Sequence, residues 1–561
     1  MLLLGRIERI PYRAFLSSLL ASTSLLLASC GVTGWIYWVC LAAACGVVTS
    51  SLVHAHVREV GVTGAFGSFA VSRALLLATA VVLNSLAGVS AGVAAAAAGI
   101  VLLVTEQPLA SAVPLARPGV IGLPGAPRNR VPTRALPASI VCSLLATALA
   151  LVAAAWPPTA PVALAATAVG FCLLIVIAAT TVAGIRDRIT YDVRAALEQY
   201  EPRFLLYWDA GDDAQYQIGM WLPYLDRVGA HYLIVTRTMT AFDQASTISH
   251  APVLLRRSLV ELDELMTPHL RAVFYVNNAA RNTQMVRYHA LTHVQLLHGD
   301  SDKASSYNPI IRMYDYDFVA GQAAIDRFAR NGIRIPEAMF RIVGRPQVEG
   351  VAAATAPIAT IAQPVVLYAP TWSGLFGDTN YSSLECGTRI VELLLARGCT
   401  VLFRPHPFTD NVPEYRAYRE SVEALLECHG RQSGRSHVFG ESARVRMTVN
   451  DCLNASDAMI ADVSAIVGDY LFSGKPFAMT NSTMDDGDFA EAFPVAQAAY
   501  LVNPTDIDAE LDDVLDDLLR RDPKAAERHA LRTYYLGDFD SRGYADHFVN
   551  AVRDVIGAGI H

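Results

Sequence analysis

Lysine is almost absent from this chain. Its 561 residues contain three lysines, Lys303, Lys475 and Lys524, and residues 1–185 contain none. The formal net charge is −8, which argues against a general nucleic-acid binder because such proteins need a basic surface. A lysine retained in a chain that otherwise uses arginine is a candidate for a specific role, and two of the three fall within motifs described below.

Several cofactor and metal motifs are also missing. The nine cysteines form no Cys-x-x-Cys pair, which argues against a zinc site or a disulfide framework. Neither Gly-x-x-x-x-Gly-Lys-Ser/Thr nor Gly-x-Gly-x-x-Gly occurs, so nucleotide hydrolysis and dinucleotide binding are disfavoured. We therefore predict neither a cofactor nor a bound metal.

Long hydrophobic runs are abundant in the first third. Each is close to the length that spans a bilayer, and they lie at about 14–30, 33–53, 68–87, 89–105, 137–156 and 160–184. We predict a helical membrane domain of about six spans over residues 1–187. The runs have almost no ionisable residue at mid-depth, which favours an anchor over a transport protein.

The arginines of this region alternate between loops. They precede the first run, occupy the loops after the second and fourth runs, and follow the last: Arg6, Arg9, Arg13, Arg58, Arg73, Arg117, Arg128, Arg130, Arg134, Arg186 and Arg188. The three other loops contain no basic residue. This positive-inside pattern predicts a multi-pass protein of the cell membrane with a cytoplasmic catalytic domain. The loop Glu106–Pro137, rich in proline, glycine and arginine, is predicted to be irregular.

Residues 188–561 alternate between strand-like and helix-like segments. The predicted strands are 203–207, 232–235, 253–255, 272–276, 293–297, 316–320, 364–368, 400–403, 446–449, 457–461 and 476–480. Such alternation is typical of doubly wound α/β domains. We predict two Rossmann-type halves facing a cleft, residues 188–350 and 364–561, joined by a linker at 351–363. Acidic helices are predicted from residue 506 to the end.

Two histidines follow predicted strands in different halves. His298 comes after the run Val294–Leu297, and His406 comes shortly after Thr400–Phe403. Because ligands of open α/β sheets bind at the carboxyl ends of the strands, we expect both histidines in one cleft. Arg404 precedes His406 by two residues, so both face one side of an extended segment. Its guanidinium could clamp a phosphate, and a surface salt bridge is the alternative.

A third motif covers residues 462–476. The strand before it ends at Asp462, and Ser464 can begin a helix that Gly474 and Pro476 would end. A helix N-terminus offers free amides to a pyrophosphate. Asp469, inside that helix, could bind hydroxyl groups of glycerol or ribose.

These motifs resemble a known family. The chain contains, in order, His298-Gly299-x-x-x-Lys303, Tyr368-Ala369-Pro370-Thr371-Trp372, Arg404-Pro405-His406-Pro407 and Asp462-x-Ser464…Asp469-Tyr470…Gly474-Lys475-Pro476. Over roughly residues 200–550 it resembles CDP-glycerol glycerophosphotransferases, the primases and polymerases of wall teichoic acid. The resemblance implies a GT-B-like fold. It also implies transfer of glycerol phosphate, or a related polyol phosphate, from a CDP-activated donor to a lipid-linked, undecaprenyl-type acceptor, with release of CMP.

The resemblance also implies site residues. It makes both matching histidines catalytic, and we assign His298 as the base and His406 to the phosphates, although the sequence does not distinguish these roles. The implied substrate-binding residues are Gly299, Lys303, Thr371, Arg404, Asp462, Ser464, Asp469 and Lys475. The first half would bind the acceptor and the second half the CDP-donor.

The chain departs from the family pattern at two positions. Ala465 stands where the family often has a second serine, and Leu297 stands where it has tryptophan. Two alternatives therefore remain open: a GT-B glycosyltransferase that uses a nucleotide sugar, and an inactive scaffold for wall-polymer enzymes.

Overall fold

The computed structural model describes residues 12–32, 34–57, 69–132, 134–211, 213–374, 379–481, 484–504 and 507–557. The chain forms two compact units, Met1–Val193 and Arg194–His561.

Six apolar helices and a two-residue strand, Val120–Ile121, make up the described part of the first unit. The helices are α1 (Tyr12–Ser29), α2 (Trp35–Val57), α3 (Ala70–Leu86), α4 (Ser90–Ala116), α5 (Ala135–Ala153) and α6 (Thr159–Thr190). Each of the six predicted hydrophobic runs coincides with one helix. Among the described residues, α4, α5 and α6 are each long and apolar enough to cross a membrane, whereas α3, with 17 residues, is shorter.

The structure corrects the predicted loops of this unit at two places. Helix α4 continues to Ala116, so the first part of the predicted irregular loop Glu106–Pro137 is helical. Arg73 lies in the first turn of α3 and not in a loop. Its guanidinium pairs with Glu106 through two hydrogen bonds of 3.2 and 3.0 Å and also donates to Ser143 at 2.7 Å. A buried ion pair therefore joins α3, α4 and α5. Arg6, Arg9 and Arg58 lie outside the described residues.

The second unit begins with a short helix, α7 (Val193–Tyr200), and a parallel sheet. The strands are β1 (Phe204–Trp208), β2 (Tyr232–Thr236), β3 (Val253–Leu255), β4 (Ala272–Tyr275), β5 (Thr292–Gln295), β6 (Tyr316–Val319) and β7 (Phe340–Ile342). Their order is β3-β2-β1-β4-β5-β6-β7. The strand order reverses between β1 and β4, which is where open α/β sheets bind ligands.

Helices follow most of these strands. They are α8 (Tyr216–Gly219), α9 (Leu222–Asp226), α10 (Met239–Ile248), α11 (Leu259–Asp263), α12 (Asn282–Val286) and α13 (Gln322–Arg330). The five residues of β1 and of β2 are all buried, as expected for strands covered on both faces.

The second sheet has five parallel strands. They are β8 (Val365–Ala369), β9 (Thr400–Phe403), β10 (Ala458–Ala461), β11 (Phe477–Thr480) and β12 (Tyr500–Val502), in the order β9-β8-β10-β11-β12. Its helices are α14 (Gly387–Ala396), α15 (Pro413–Ser433), α16 (Val449–Ala455), α17 (Ala465–Leu471), α18 (Asp486–Ala492), α19 (Ile507–Asp516), α20 (Ala525–Leu536) and α21 (Asp546–Val555). Two Rossmann-type halves are therefore present, as predicted.

Strands β7 and β12 were not predicted, and two further details differ from the sequence prediction. The predicted strand 446–449 is absent: residues Ser442–Arg446 form a helical turn, and Thr448 caps α16 by accepting a hydrogen bond from the amide of Asp451 at 3.1 Å. In addition, α21 packs in the core of the first half, where Phe548 and Val552 lie among the side chains around β1 and β4. The chain thus crosses back to the first half at its end.

Candidate active site

A turn after β5 carries His298 into the space beyond the first sheet. Leu297 has φ +52°, a left-handed conformation that costs energy for a branched residue. Buried Gln295 stabilises this conformation, because its side-chain oxygen accepts hydrogen bonds from the backbone amides of Leu296 and Leu297, each at 3.1 Å. The Trp221 indole donates to the Leu297 carbonyl at 2.8 Å. The backbone before His298 is therefore held on both sides.

One hydrogen bond determines the tautomer of His298. Its Nδ1 lies 2.9 Å from the carbonyl oxygen of Val276. A carbonyl only accepts, so Nδ1 carries the hydrogen and Nε2 of the neutral ring has a free lone pair. Burial, aided by the nearby Arg345 charge, lowers the pKa of His298 below its usual value. The ring is therefore neutral at physiological pH, and its Nε2 can accept a proton.

The hydrogen bonds of His406 are arranged the other way round. Its Nδ1 accepts from the backbone amide of Phe408 at 3.1 Å, so in the neutral ring Nε2 carries the hydrogen. Burial lowers the pKa of His406 to about 3, with further contributions from Lys303 and His298. The His406 ring stacks on Trp372, with centroids 6.0 Å apart and an interplanar angle of 21°. It can donate a hydrogen bond without carrying a charge.

Both histidines line one cleft of about 850 Å³ between the two halves. Aromatic side chains from both halves form much of its wall: Tyr216, Tyr307, Trp372, Tyr381, Phe408 and Phe493. Tyr216 makes edge-on ring contacts with His298 at 5.9 Å and with Phe408 at 6.1 Å. Such rings provide flat apolar faces for stacking a nucleobase.

Lys303 brings positive charge to this cleft. Its ammonium donates to Thr371 Oγ1 at 3.0 Å and lies 5.7 Å from the ring centre of Tyr381. The lysine belongs to the first half and both partners belong to the second. Three of the predicted residues thus line the cleft directly: His298, Lys303 and His406. Thr371 does not line the cleft but is hydrogen-bonded to Lys303.

The loop from His298 to Lys303 is braced by a residue that the sequence analysis did not select. Buried Arg327 of α13 donates from Nη1 to Asp300 at 2.6 Å and from Nε to Asp302 at 2.8 Å. Asp302 also accepts from the Tyr535 hydroxyl at 2.8 Å. Nothing in the sequence around Arg327 announces this role, because its partners lie 25 and 27 residues earlier.

Two cations predicted to bind substrate have protein partners outside the cleft. Arg404 donates to the carbonyls of Ala443 and Met447, which holds the turn before α16. The Lys475 ammonium donates to the carbonyls of Leu453 at 2.8 Å and Ser456 at 2.6 Å. Both cations thus stabilise the backbone around α16, and neither lines the cleft.

The two predicted acidic ligands are also engaged by protein groups. Asp462 is fully buried and accepts from the amides of Thr371 and Ser383 at 2.7 and 3.1 Å, which shapes the loop after β8. Asp469 receives two hydrogen bonds from the buried guanidinium of Arg345, one of them at 3.1 Å. Because Arg345 follows β7 and Asp469 lies in α17, this ion pair joins the two halves.

Ser464 precedes α17 without capping it through its side chain. Its hydroxyl donates to the Asp462 carbonyl at 3.2 Å, and residues 464–466 are half-buried. Gly299 packs against this helix, since a Cβ at position 299 would lie 3.3 Å from the Cβ of Ala465. The departure from the family pattern at Ala465 therefore lies where the two halves meet.

Sequence reasoning missed Trp372, Phe408 and Tyr216 as site residues. Trp372 belonged to a motif already noted, and Phe408 stands two residues after His406, so both could have been selected. Tyr216 has no local signal, because only the folding of the first half brings α8 beside His298. In the described ranges, no three His, Cys, Asp or Glu side chains converge as metal ligands.

A comparison with protein families gives a match for part of the second unit. Residues 337–486 match the family model described as CDP-Glycerol:Poly(glycerophosphate) glycerophosphotransferase. The chain is a CDP-glycerol glycerophosphotransferase-like enzyme. The matched segment contains three of the four motifs and leaves out the one at His298. No curated protein sequence matches this glycerophosphotransferase-like chain.

Solved structures with a similar arrangement include the wall teichoic acid polymerase TagF, at 13% identity over 68% of this chain and 96% of that chain, with a TM-score of 0.42. MnaA of S. aureus in complex with UDP matches at 11% identity over 63% and 96%, with a TM-score of 0.42. The α,α-trehalose 6-phosphate synthase of Burkholderia multivorans matches at 13% identity over 63% and 96%, with a TM-score of 0.35. These values are too low to support a functional inference.

Proposed function

We propose that this protein is a membrane-anchored transferase of teichoic-acid-like polymer synthesis. It transfers glycerol phosphate, or a related polyol phosphate, from a CDP-activated donor to a hydroxyl group of a lipid-linked acceptor and releases CMP. The family match supports the class of reaction. The observation that carries the chemistry is the opposite tautomers of His298 and His406 in one cleft.

The two tautomers suit the two sides of a displacement at phosphorus. The acceptor oxygen attacks the phosphorus of the polyol phosphate while its proton moves to Nε2 of His298. The bond from that phosphorus to the bridging oxygen breaks, and CMP departs with the electron pair. His406 donates through Nε2–H to phosphate oxygens, and the Lys303 ammonium offsets the charge that develops there.

The cleft also has a place for the rest of the donor. The faces of Trp372, Tyr381 and Phe493 are suited to the apolar sides of a base and a ribose. In this proposal the second half holds the CDP moiety and the first half supplies the base.

Three helices that could cross a membrane support anchoring of the catalytic unit beside a lipid-linked acceptor. Confinement to the surface where the acceptor resides raises its effective concentration. We propose the cytoplasmic side, because CDP-activated donors are made in the cytoplasm.

The decisive experiment identifies the released nucleotide. Full-length protein in detergent is incubated with a panel of CDP-polyols and nucleotide sugars and a lipid-linked acceptor. We expect acceptor-dependent release of CMP from a CDP-polyol, because phosphoryl transfer breaks the bond between the two phosphates. Release of a nucleoside diphosphate from a nucleotide sugar would instead identify a glycosyltransferase. No release with any donor would support the scaffold alternative.

His298→Asn and His406→Ala serve as matched controls for that measurement. Loss of a general base typically costs about 10²- to 10⁴-fold in rate, so His298→Asn should release almost no CMP. His406→Ala should also lower turnover strongly, since it removes a donor aimed at the phosphates. Unchanged CMP release by both variants would contradict the proposed site.

A further inference from the structure

A small cavity lies directly behind the loop that carries His298. Its volume is about 30 Å³, and its walls include Gly299, Asp300, Asp317, Arg327 and Arg345. Asp317 of β6 is 1% exposed. Its Oδ1 has no hydrogen-bond partner among the described residues, and the same is true of Arg327 Nη2. Since both residues line this cavity, a buried acid and an unused guanidinium hydrogen share one space.

The charges around Asp317 disfavour its ionisation. Arg327 already donates two hydrogen bonds to the His298 loop, from Nη1 to Asp300 and from Nε to Asp302. Arg345 beside them is paired with Asp469, and the hydroxyl of Tyr314 is a further titratable neighbour of Asp317. A third carboxylate would therefore compete for a single shared guanidinium. Burial and the charge of Asp300 raise the pKa of Asp317 to about 7.

We propose that Asp317 is a positioning residue whose proton keeps Arg327 bound to the His298–Lys303 loop. As a neutral acid, Asp317 leaves Arg327 to Asp300 and Asp302. As a carboxylate, it attracts the free Nη2 of Arg327 across the cavity and draws the guanidinium away from the loop. His298 and Lys303 then lose their common support. A cavity of about 30 Å³ can also hold one water molecule that links the two groups.

This inference rests on the proposed function only for its effect on turnover. The proton itself can be detected without substrate. An acid whose pKa is raised by folding destabilises the protein as pH rises from its unfolded value, about 3.9, to its folded value. Asparagine at position 317 mimics the neutral acid and lacks this dependence.

The first test measures thermal unfolding of the full-length protein and of Asp317→Asn from pH 4 to pH 8.5. We expect the variant to gain in Tm relative to the wild type as pH rises to about 7, and the difference to level off above that value. A difference that stays constant over this range would overturn the proposal. The same comparison is then made in the Asp300→Asn background. Removing the charge of Asp300 should lower the pKa of Asp317, so the Tm difference made by Asp317→Asn should level off at a lower pH.

The second test follows CMP release from the preferred CDP-polyol over the same pH range. Wild-type kcat/KM should fall above pH 7 by about tenfold per pH unit as Asp317 ionises, whereas Asp317→Asn should lack this fall. Superimposable profiles would overturn the positioning role. If no donor is turned over but the Tm difference has the expected pH dependence, the proposed function is wrong and the protonation of buried Asp317 is supported. Turnover without that pH dependence in Tm would contradict the protonation of Asp317 and leave the proposed function unaffected.

Discussion

A histidine ring has two nitrogens, and the partner of one decides what the other can do. At His298 a backbone carbonyl accepts a hydrogen bond from Nδ1–H, whereas at His406 a backbone amide donates a hydrogen bond to Nδ1. The sequence placed both residues at strand ends but could not separate their roles, because tautomers depend on backbone groups that only the fold supplies. The assignment of His298 as base and of His406 as donor to the phosphates stays a prediction, and the opposite tautomers are compatible with it.

The protonation state of His298 leads to a prediction about pH. Burial and Arg345 lower the pKa of His298, so its neutral form persists below the ordinary histidine value of about 6.5. We expect the acid limb of the kcat/KM profile to lie below pH 6.5. Arg345→Met removes the charge that helps to lower the pKa and should move this limb to higher pH. A wild-type limb at or above pH 6.5 would show that the base is another group or is less buried.

Two of the three lysines provide a matched pair for testing site residues against supporting ones. Lys475 is buried against carbonyls at the end of α16, and Lys303 lies in the cleft. Lys475→Met should lower the free energy of unfolding by about 1.5–3 kcal/mol, since hydrogen bonds to a charged group are lost, while the KM for the donor stays unchanged. Lys303→Met should raise KM or lower kcat.

Urea unfolding and steady-state kinetics on both variants check this prediction. The critical result is the crossed pattern, with stability lost in one variant and kinetics altered in the other. If Lys475→Met changed only the KM, the sequence-based prediction of Lys475 as a substrate-binding residue would be favoured over its structural role.

At the level of helices and strands, the sequence was most informative where the physical signal was local. Short apolar runs such as Tyr232–Val235 became strands because parallel strands are buried on both faces. The segment 446–449 was misjudged, since its strand-like composition competes with a cap, Thr448, that begins a helix. Contacts between distant segments, such as Arg327 with Asp300, leave no trace in local spacing and could not have been predicted.

The start of α17 illustrates the same limit at the site. Although α17 ends at Leu471, before Gly474 and Pro476, Asp462, Ser464 and Asp469 were correctly placed at a strand-to-helix turn. Their side chains nevertheless bind protein groups. A buried carboxylate needs partners, and Arg345, 124 residues before Asp469, could not be identified as that partner without the fold.

The two halves are joined by the ion pair between Arg345 and Asp469, which are 6% and 7% exposed. Breaking one side of a buried pair leaves an uncompensated charge and costs about 3–5 kcal/mol. Arg345→Met and Asp469→Leu should each destabilise the protein by this amount, and the double variant should recover much of the loss. Chemical unfolding of the four proteins measures the coupling. Additive losses would mean that the pair contributes nothing to joining the halves.

The membrane arrangement is the broadest prediction, and native cysteines allow a direct test. Positive-inside counting puts the turn after α1, with Cys30, and the turn before α6, with Trp156, outside the cell. The same counting puts the second unit, with exposed Cys428, inside. Full-length variants that each keep one cysteine, Cys30, Cys428 or one introduced by Trp156→Cys, can be treated with a membrane-impermeant maleimide.

In intact cells or spheroplasts, we expect labelling of Cys30 and of the Trp156→Cys variant and none of Cys428, because only the first two would face the outer solution. After permeabilisation, Cys428 should react as well, which controls for its accessibility in the folded protein. Since α3, with 17 residues, is shorter than α4, α5 and α6, Cys30 is the more demanding probe. Labelling of the Trp156→Cys variant but not of Cys30 would mean that α1 to α3 do not all cross. Labelling of Cys428 in intact cells would place the catalytic unit outside and contradict a cytoplasmic supply of its donor.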